Sequence, residues 1–263
     1  MTGELTFRWL GVQGIELRCA GKTLLIDPFF TRPGLGDMLS LRRVTPNRGL
    51  STRLAPACDA ILVTHSHHDH ILDVPDLALH SGAPVYGSAN SGQILALSGV
   101  PAAQFHRVHP GNLLECGPFA VEVLAGRHIA LPVDFLLNGA LSPNSHPPFR
   151  LVDYRMDEVF GFLITVSGGT RILFCPGQAL QPADILFSST VWGAERYRRL
   201  LADVQPRLFV PLHWDNFFRP LDKPLVELPQ PGGMSLKRLA RLAAQTAPRA
   251  QFMVPELLFE KLI

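Results

Sequence analysis

Seven consecutive residues, Thr64-His65-Ser66-His67-His68-Asp69-His70, constrain this chain more than any other stretch. Four of its ten histidines fall within six positions there. The run Ala60-Ile61-Leu62-Val63 leads straight into them, and a short, wholly apolar run of that kind reads as a buried strand. A cluster fed from a buried strand lies at the edge of a core, not on a surface tail. Side chains of an extended chain alternate in direction, so His65 and His67 face the same way and their imidazoles can converge on one cation. Asp69 and His70 come just before a helix expected over residues 73–81, where the turning chain brings them back toward the same point. Imidazole nitrogen with one carboxylate suits Zn²⁺ and, less tightly, Mn²⁺ or Fe²⁺. His68 breaks the alternation and is read as a non-ligand.

Around this cluster the chain reads as α/β. Strands are expected at residues 5–10, 15–19 and 23–26, with Ala20-Gly21-Lys22 as a turn. Residues 29–56 are rich in Pro, Gly and Arg, without periodicity, and form a long irregular excursion of the kind that tends to be functional. Strand 83–86 and helix 91–97 follow. A hairpin over 113–116 and 120–124 turns at Gly117-Pro118. Residues 129–157 are again irregular. Strands 159–166 and 171–174 flank Ser167-Gly168-Gly169-Thr170, a hairpin signal. Short strands at 185–187 and 208–210 and helices over 194–203 and 235–244 complete the pattern. No repeat or linker divides the chain, so residues 1–263 are read as one domain, two packed sheets covered by helices.

Composition narrows the function classes. With 263 residues, 47% hydrophobic and 17% charged, the chain can bury a substantial core and is not of the disordered class. A net charge of +2 and a pI of about 8.4 give no footprint for nucleic acid or an anionic membrane. The basic clusters Arg196, Arg198, Arg199 and Lys237, Arg238, Arg241 sit in helix-like segments and read as solvated helix faces. Cys19, Cys58, Cys116 and Cys175 form no CxxC pair, which argues against a structural zinc knuckle. Neither a leader pattern nor a bilayer-length apolar run is visible, so the expected setting is cytoplasmic, with reduced thiols.

The histidine segment matches the HxHxDH signature of the metallo-β-lactamase-like superfamily, and the resemblance extends over most of the chain. Phe7-Arg8-Trp9-Leu10-Gly11 through Leu25-Ile26-Asp27-Pro28-Phe29 is similar to the opening strands of the branch that contains ascorbate-6-phosphate lactonase-like proteins. His109-Pro110-Gly111, then Val121–Leu124 and His128, resembles the segment that delivers the family's third histidine. Pro211-Leu212-His213 resembles its last ligand. The resemblance implies a four-layer αββα sandwich with a metal centre at one sheet edge. It implies a first metal site of His65, His67 and His128 and a second of Asp69, His70 and His213, holding one or two zinc ions, with Mn or Fe as options. His106 and His109 compete with His128 for its role. His80 and His146 match no pattern and are read as surface residues.

One departure stands out. The family usually carries a Gly-Asp pair whose Asp bridges two metals. Here strand 172–174 runs into Cys175-Pro176-Gly177-Gln178, so Gly177 or Gln178 falls where the carboxylate belongs. Cys175 reads as a small buried hydrophobe in preference to a thiolate ligand, and Asp184 lies too far along.

The implied chemistry is hydrolysis of a small-molecule ester, lactone or phosphoester by a metal-bound water whose pKa is lowered toward neutrality. Asp69 would act catalytically by orienting the nucleophile or accepting its proton. The expected partner is a small molecule, an anionic one included, with no nucleic acid and no membrane. The competing reading, favoured by the absent carboxylate, is a non-catalytic metal- or ligand-binding protein on the same fold. A nucleic-acid-processing version is a distant third.

Overall fold

The structure, a computed structural model, describes residues 3–130, 133–175, 180–228 and 232–263. The chain opens with an antiparallel meander, β1 (Thr6–Gly11), β2 (Gly14–Cys19) and β3 (Lys22–Ile26). It continues through α1 (Leu35–Leu39), α2 (Arg48–Leu54), β4 (Ala60–Leu62), α3 (His68–Ile71), α4 (Val74–Ser81), β5 (Val85–Gly87), α5 (Ala89–Leu97) and β6 (Phe105–Arg107). The second half contributes β7 (Leu113–Cys116), β8 (Phe119–Ala125), α6 (Asp134–Leu137), β9 (Phe160–Val166), β10 (Arg171–Phe174) and β11 (Ile185–Ser189). It ends with α7 (Ala194–Val204), β12 (Leu208–Leu212), α8 (Leu236–Thr246), β13 (Gln251–Phe252) and β14 (Glu260–Leu262).

The strands make two seven-stranded sheets, ordered β14-β1-β2-β3-β4-β5-β6 and β13-β12-β11-β10-β9-β8-β7. Strand alternation decides the layering. In the second sheet Phe162, Ile172, Phe174, Ile185, Phe187, Leu208 and Val210 face Phe7, Trp9, Ile15, Leu24 and Ile26 of the first, forming the core between the sheets. The intervening residues Leu163, Leu173, Leu186 and Phe209 point the other way, onto Tyr197, Leu200 and Leu201 of α7 and Leu239 and Leu242 of α8. On the opposite side Leu25, Ile61 and Val85 meet Val74 and Leu77 of α4 and Ile94 and Leu95 of α5. The result is the four-layer αββα sandwich expected from the sequence.

The differences fall where periodicity has too little length to register. The excursion over residues 29–56 holds α1 and α2, and that over 129–157 holds α6; each is seven residues or fewer. Asn47 caps α2 by accepting from Leu50 N at 3.1 Å. Strands β6, β13 and β14 escape sequence reading because they are two or three residues long and their side chains are mostly exposed. Among the described residues no helix is long and apolar enough to cross a membrane.

The parallel pairs β3·β4, β10·β11 and β11·β12 end at one rim of the sandwich. β8 runs alongside them, being antiparallel to β9 as β9 is to β10. Two backbone bonds tie the sheets together at that rim: Phe160 N donates to Thr64 O at 2.8 Å and His213 N to Val12 O at 2.7 Å.

Candidate metal centre

The rim gathers side chains from the ends of β4, β8 and β12 and from α3. His65 and His67 lie just past β4, in extended backbone, so the period of two that puts them on one side outlasts the strand itself. Their ring centroids are 4.8 Å apart. His128, three residues past β8, meets both, at 5.1 Å from His65 and 4.8 Å from His67. Asp69 and His70 lie within α3, a single turn that precedes the helix expected over residues 73–81, which is α4. His213 follows β12 with φ +57, a left-handed turn that swings its ring toward Asp69. His213 Nε2 is 3.2 Å from Asp69 Oδ2, and His70 Nε2 is 3.4 Å from the same oxygen.

Two trios result. His65, His67 and His128 offer ligand atoms all within 4.8 Å of one another, as do Asp69, His70 and His213. His65 and His70 join the trios, their ring centroids 3.9 Å apart. These are the same six residues, grouped the same way, that the resemblance implied.

Partners behind the rings fix which nitrogen faces inward. His128 Nδ1 donates to the Ile129 carbonyl at 2.7 Å and His67 Nε2 to the Leu137 carbonyl at 3.2 Å. His70 Nδ1 donates to Asp27 Oδ2 at 2.8 Å. In each ring this turns the other nitrogen toward the centre, the arrangement that metal-ligating histidines use once that nitrogen is deprotonated. His65 Nε2 and His213 Nδ1 are buried without a hydrogen-bond partner. A buried polar atom left this way is costly unless something else satisfies it. Orphaned imidazole nitrogens beside a carboxylate fit a borderline-soft divalent cation, so the donor set and its geometry suit the group the resemblance implied.

The family model of the beta-lactamase superfamily domain matches residues 22–214, a span that contains all six residues. The chain belongs to the metallo-β-lactamase-like superfamily. Among its superfamily relatives, the UPF0173 metal-dependent hydrolase of Cupriavidus necator is 28% identical over 230 residues, covering 81% of this chain and 75% of the relative. Among solved structures, the metallo hydrolase Igni18 from Ignicoccus hospitalis shares the fold at a TM-score of 0.61 and 14% identity, over 98% of each chain. CmlA, a diiron β-hydroxylase from Streptomyces venezuelae, does so at a TM-score of 0.60 and 16% identity, over 99% of this chain and 54% of that one.

The electrostatics of this superfamily rim follow from burial. Desolvation, then the neighbouring His70, His67 and His128, holds His65 well below the usual histidine range. Burial and His128 bring His67 down to about 3, and burial lowers His128 and His68 as well. His70 goes the other way. Burial would lower it, but Asp69 and Asp27 overcome that and raise it to about 10. Burial would raise Asp69, yet His70 and His213 hold it well below the usual carboxylate range. Three neutral imidazoles therefore face one imidazolium–carboxylate pair.

Of the remaining histidines, His68 borders the centre, its Nδ1 3.9 Å from Asp69 Oδ1, and the others stay apart. His68 packs edge-on against Phe29, in keeping with its reading as a non-ligand. His106 stacks on Tyr86, exposed His109 lies 3.7 Å from Glu158, and exposed His146 contacts Arg43. Cys175, at the end of β10, lines the cleft and contacts Ser189 Oγ at 3.6 Å; burial pushes its thiol up to about 12, so it stays neutral. Asp184 is occupied by the Arg171 amide, 2.8 Å away. Gly177 and Gln178, on which the missing bridge turns, lie outside the described residues.

Asp27 is the residue that sequence reading missed: it enters there only within the segment Leu25–Phe29, with no role of its own. The signal was an acidic residue directly after a buried apolar strand. Its φ of +46 turns the carboxylate back toward Thr64 and His70.

Proposed function

We propose that this metal-dependent hydrolase of the metallo-β-lactamase-like superfamily cleaves a small-molecule ester, lactone or phosphoester at the rim, with His65, His67, His128, Asp69, His70 and His213 holding the metal. What carries the reading is the pair of ligand trios, each within 4.8 Å, in which His67, His70 and His128 have their other ring nitrogens engaged by backbone carbonyls and Asp27. When bound, the metal supplies a water of lowered pKa and polarises the scissile oxygen. Zinc is the expected ion, with Mn or Fe able to use the same donors.

The chain's own residues do the rest. Asp69 sits between His70 and His213 and is held ionised, so it can orient the attacking water or accept its proton. The Leu137 and Ile129 carbonyls and Asp27 keep three rings from turning. Apolar side chains around the cleft, such as Phe160, Ile129 and Val159, limit competing water.

Elemental analysis of the protein and of a His65→Ala/His67→Ala variant, together with turnover of ester, lactone and phosphodiester panels before and after chelation, tests the proposal. The expected outcome is metal in the parent, strongly reduced metal in the variant, and activity that chelation abolishes. Asp69→Asn should lower turnover by about 10²–10⁴-fold, the range for a lost acid–base group. Equal metal in parent and variant, or turnover indifferent to chelation, would overturn it.

A further inference from the structure

The cleft above the histidines has a volume of about 150 Å³. Apart from the six proposed ligands, its wall is largely apolar, with Met38, Ile129, Leu137, Val159, Trp192 and Phe217 prominent. The single lysine or arginine among the described lining residues is Arg127, which is exposed. Phosphate-rich or polyanionic ligands are normally gripped by several such cations, and this wall does not provide them.

The apolar character continues outward from two short helices. α1 reaches the cleft through Met38 and α6 through Leu137, and both pack on the turn at Leu151–Asp153. Leu35 and Leu39 on α1 are 52% and 76% exposed, and Phe135 and Leu136 on α6 are 74% and 47% exposed. With Leu41 and Val133, these make six of the thirteen large hydrophobics exposed among the described residues; all lie in or beside the two helices that send Met38 and Leu137 into the cleft, and none lines the cleft itself. Isolated exposed apolar residues need no explanation, whereas several on the two short helices that also wall a cleft point to a binding surface at its mouth. α6 is also held in place at the metal centre. The Leu137 carbonyl receives both His67 Nε2 and Met156 N, and Asn90 clamps the Gly139 and Arg155 carbonyls at 2.9 and 2.7 Å.

We infer that the wall of Met38, Leu137, Ile129 and Phe217 is a subsite for an uncharged alkyl arm of the substrate, which holds the scissile carboxyl derivative over the histidines. This rests on the hydrolase reading and narrows it, from any small ester, lactone or phosphoester to an acyl substrate with an extended apolar chain. The arm is recognised by burial, so its length sets affinity. Its head group is recognised by the rim.

Straight-chain carboxylates from acetate to octanoate, titrated calorimetrically into the metal-loaded protein, give a test that does not depend on turnover. Each added methylene should tighten binding by about fourfold, from the free energy of burying one CH₂. Met38→Ser/Leu137→Ser should flatten the series, lowering the affinity for octanoate far more than that for acetate. Phe135→Ser, at an exposed position, should weaken only the longer acids. Leu113→Ser, on β7 and away from the cleft, should change nothing. A flat series in the parent would overturn the inference. So would a slope that survives in the double variant, or dicarboxylates that bind as tightly as monocarboxylates of equal length. If the slope holds and no ester, lactone or phosphoester turns over, the hydrolase reading fails while the alkyl subsite stands.

Discussion

Asp27 Oδ2 lies 2.8 Å from His70 Nδ1 and 2.5 Å from the Thr64 hydroxyl, while its other oxygen accepts Thr64 N at 2.7 Å. One carboxylate thus ends β3, braces the start of the histidine segment and sets the tautomer of a proposed ligand. It is fully buried, so each of these contacts acts in a low dielectric. Asp27→Asn keeps the shape but removes the charge that favours Nδ1–H. Metal affinity should fall about 10–100-fold, as when an outer-shell partner of a ligating histidine is lost. Competition with a chromophoric chelator would measure it; unchanged affinity would make Asp27 a fold-only residue.

Arg32 and Asp215 form a second buried relationship, this one behind His213. Arg32 Nη2 is 2.7 Å from Asp215 Oδ2, with the two side chains 1% and 0% exposed. Asp215 Oδ1 accepts Val12 N at 3.0 Å, and the Val12 carbonyl receives His213 N. A Cβ on Gly11 would collide with the guanidinium at Nη2, and Gly11 has φ +96, so only glycine fits there. Asp215→Ala strands a buried cation and should cost about 3–5 kcal/mol. Denaturant unfolding would show it, and the more conservative Arg32→Lys should cost less.

Asp73 supplies a pH signature. Burial pushes its carboxyl from 3.8 up to about 6, against the opposing pull of the Thr31 hydroxyl and the Phe30 and Thr31 amides. Between about pH 4 and about pH 6 the folded protein keeps a proton that the unfolded chain releases. Stability contributed by this group is therefore full below about pH 4 and declines as pH rises to about 6. Asp73→Asn lacks that slope. The stability of the parent relative to this variant should drop by about 2–3 kcal/mol across the window. Urea unfolding of both proteins at pH 4.5, 5.5 and 6.5 tests this, with the histidines cancelling in the difference. A flat difference would show an ordinary carboxylate.

Much of this was readable in advance where local pattern and tertiary role agree. Strand β4 was legible without any alternation: Ala60-Ile61-Leu62 is apolar on both faces because helices cover one side and the second sheet the other. His65 and His67 obeyed the two-residue period even beyond the strand. Asp27 stayed hidden because its role depends on His70, 43 positions away, and on a positive φ that no local pattern announces. Which residues of the irregular segments 29–56 and 129–157 wall the cleft stayed hidden for the same reason. Met38 and Leu137 belong to irregular segments that come together only through the turn at Leu151–Asp153.

The charge balance of the rim bears on how many ions it holds. Of the six proposed ligands only Asp69 carries a charge at neutral pH once His70 is neutral, as a ligating imidazole must be. Asp27 adds a second buried negative charge, one imidazole further back. Two divalent ions about 3.5–4 Å apart bring four positive charges, so about two would be left without a protein partner. Sequence puts neutral Gln178 or Gly177 where a bridging carboxylate would otherwise supply one of them. In a low-dielectric site that missing charge counts several times more than it would in water. One ion should therefore bind tightly and the second weakly. Gln178→Asp, or Gly177→Asp in the other register, should strengthen the second by about tenfold or more, the equivalent of about 1.4 kcal/mol. Zinc titration after chelator treatment, read by calorimetry, resolves the two steps in parent and variants. A carboxylate added to the parent should partly restore the second step, since it brings the absent charge. Two equally tight ions in the unmodified protein without any added anion would show that the rim is already balanced, and this account would fall.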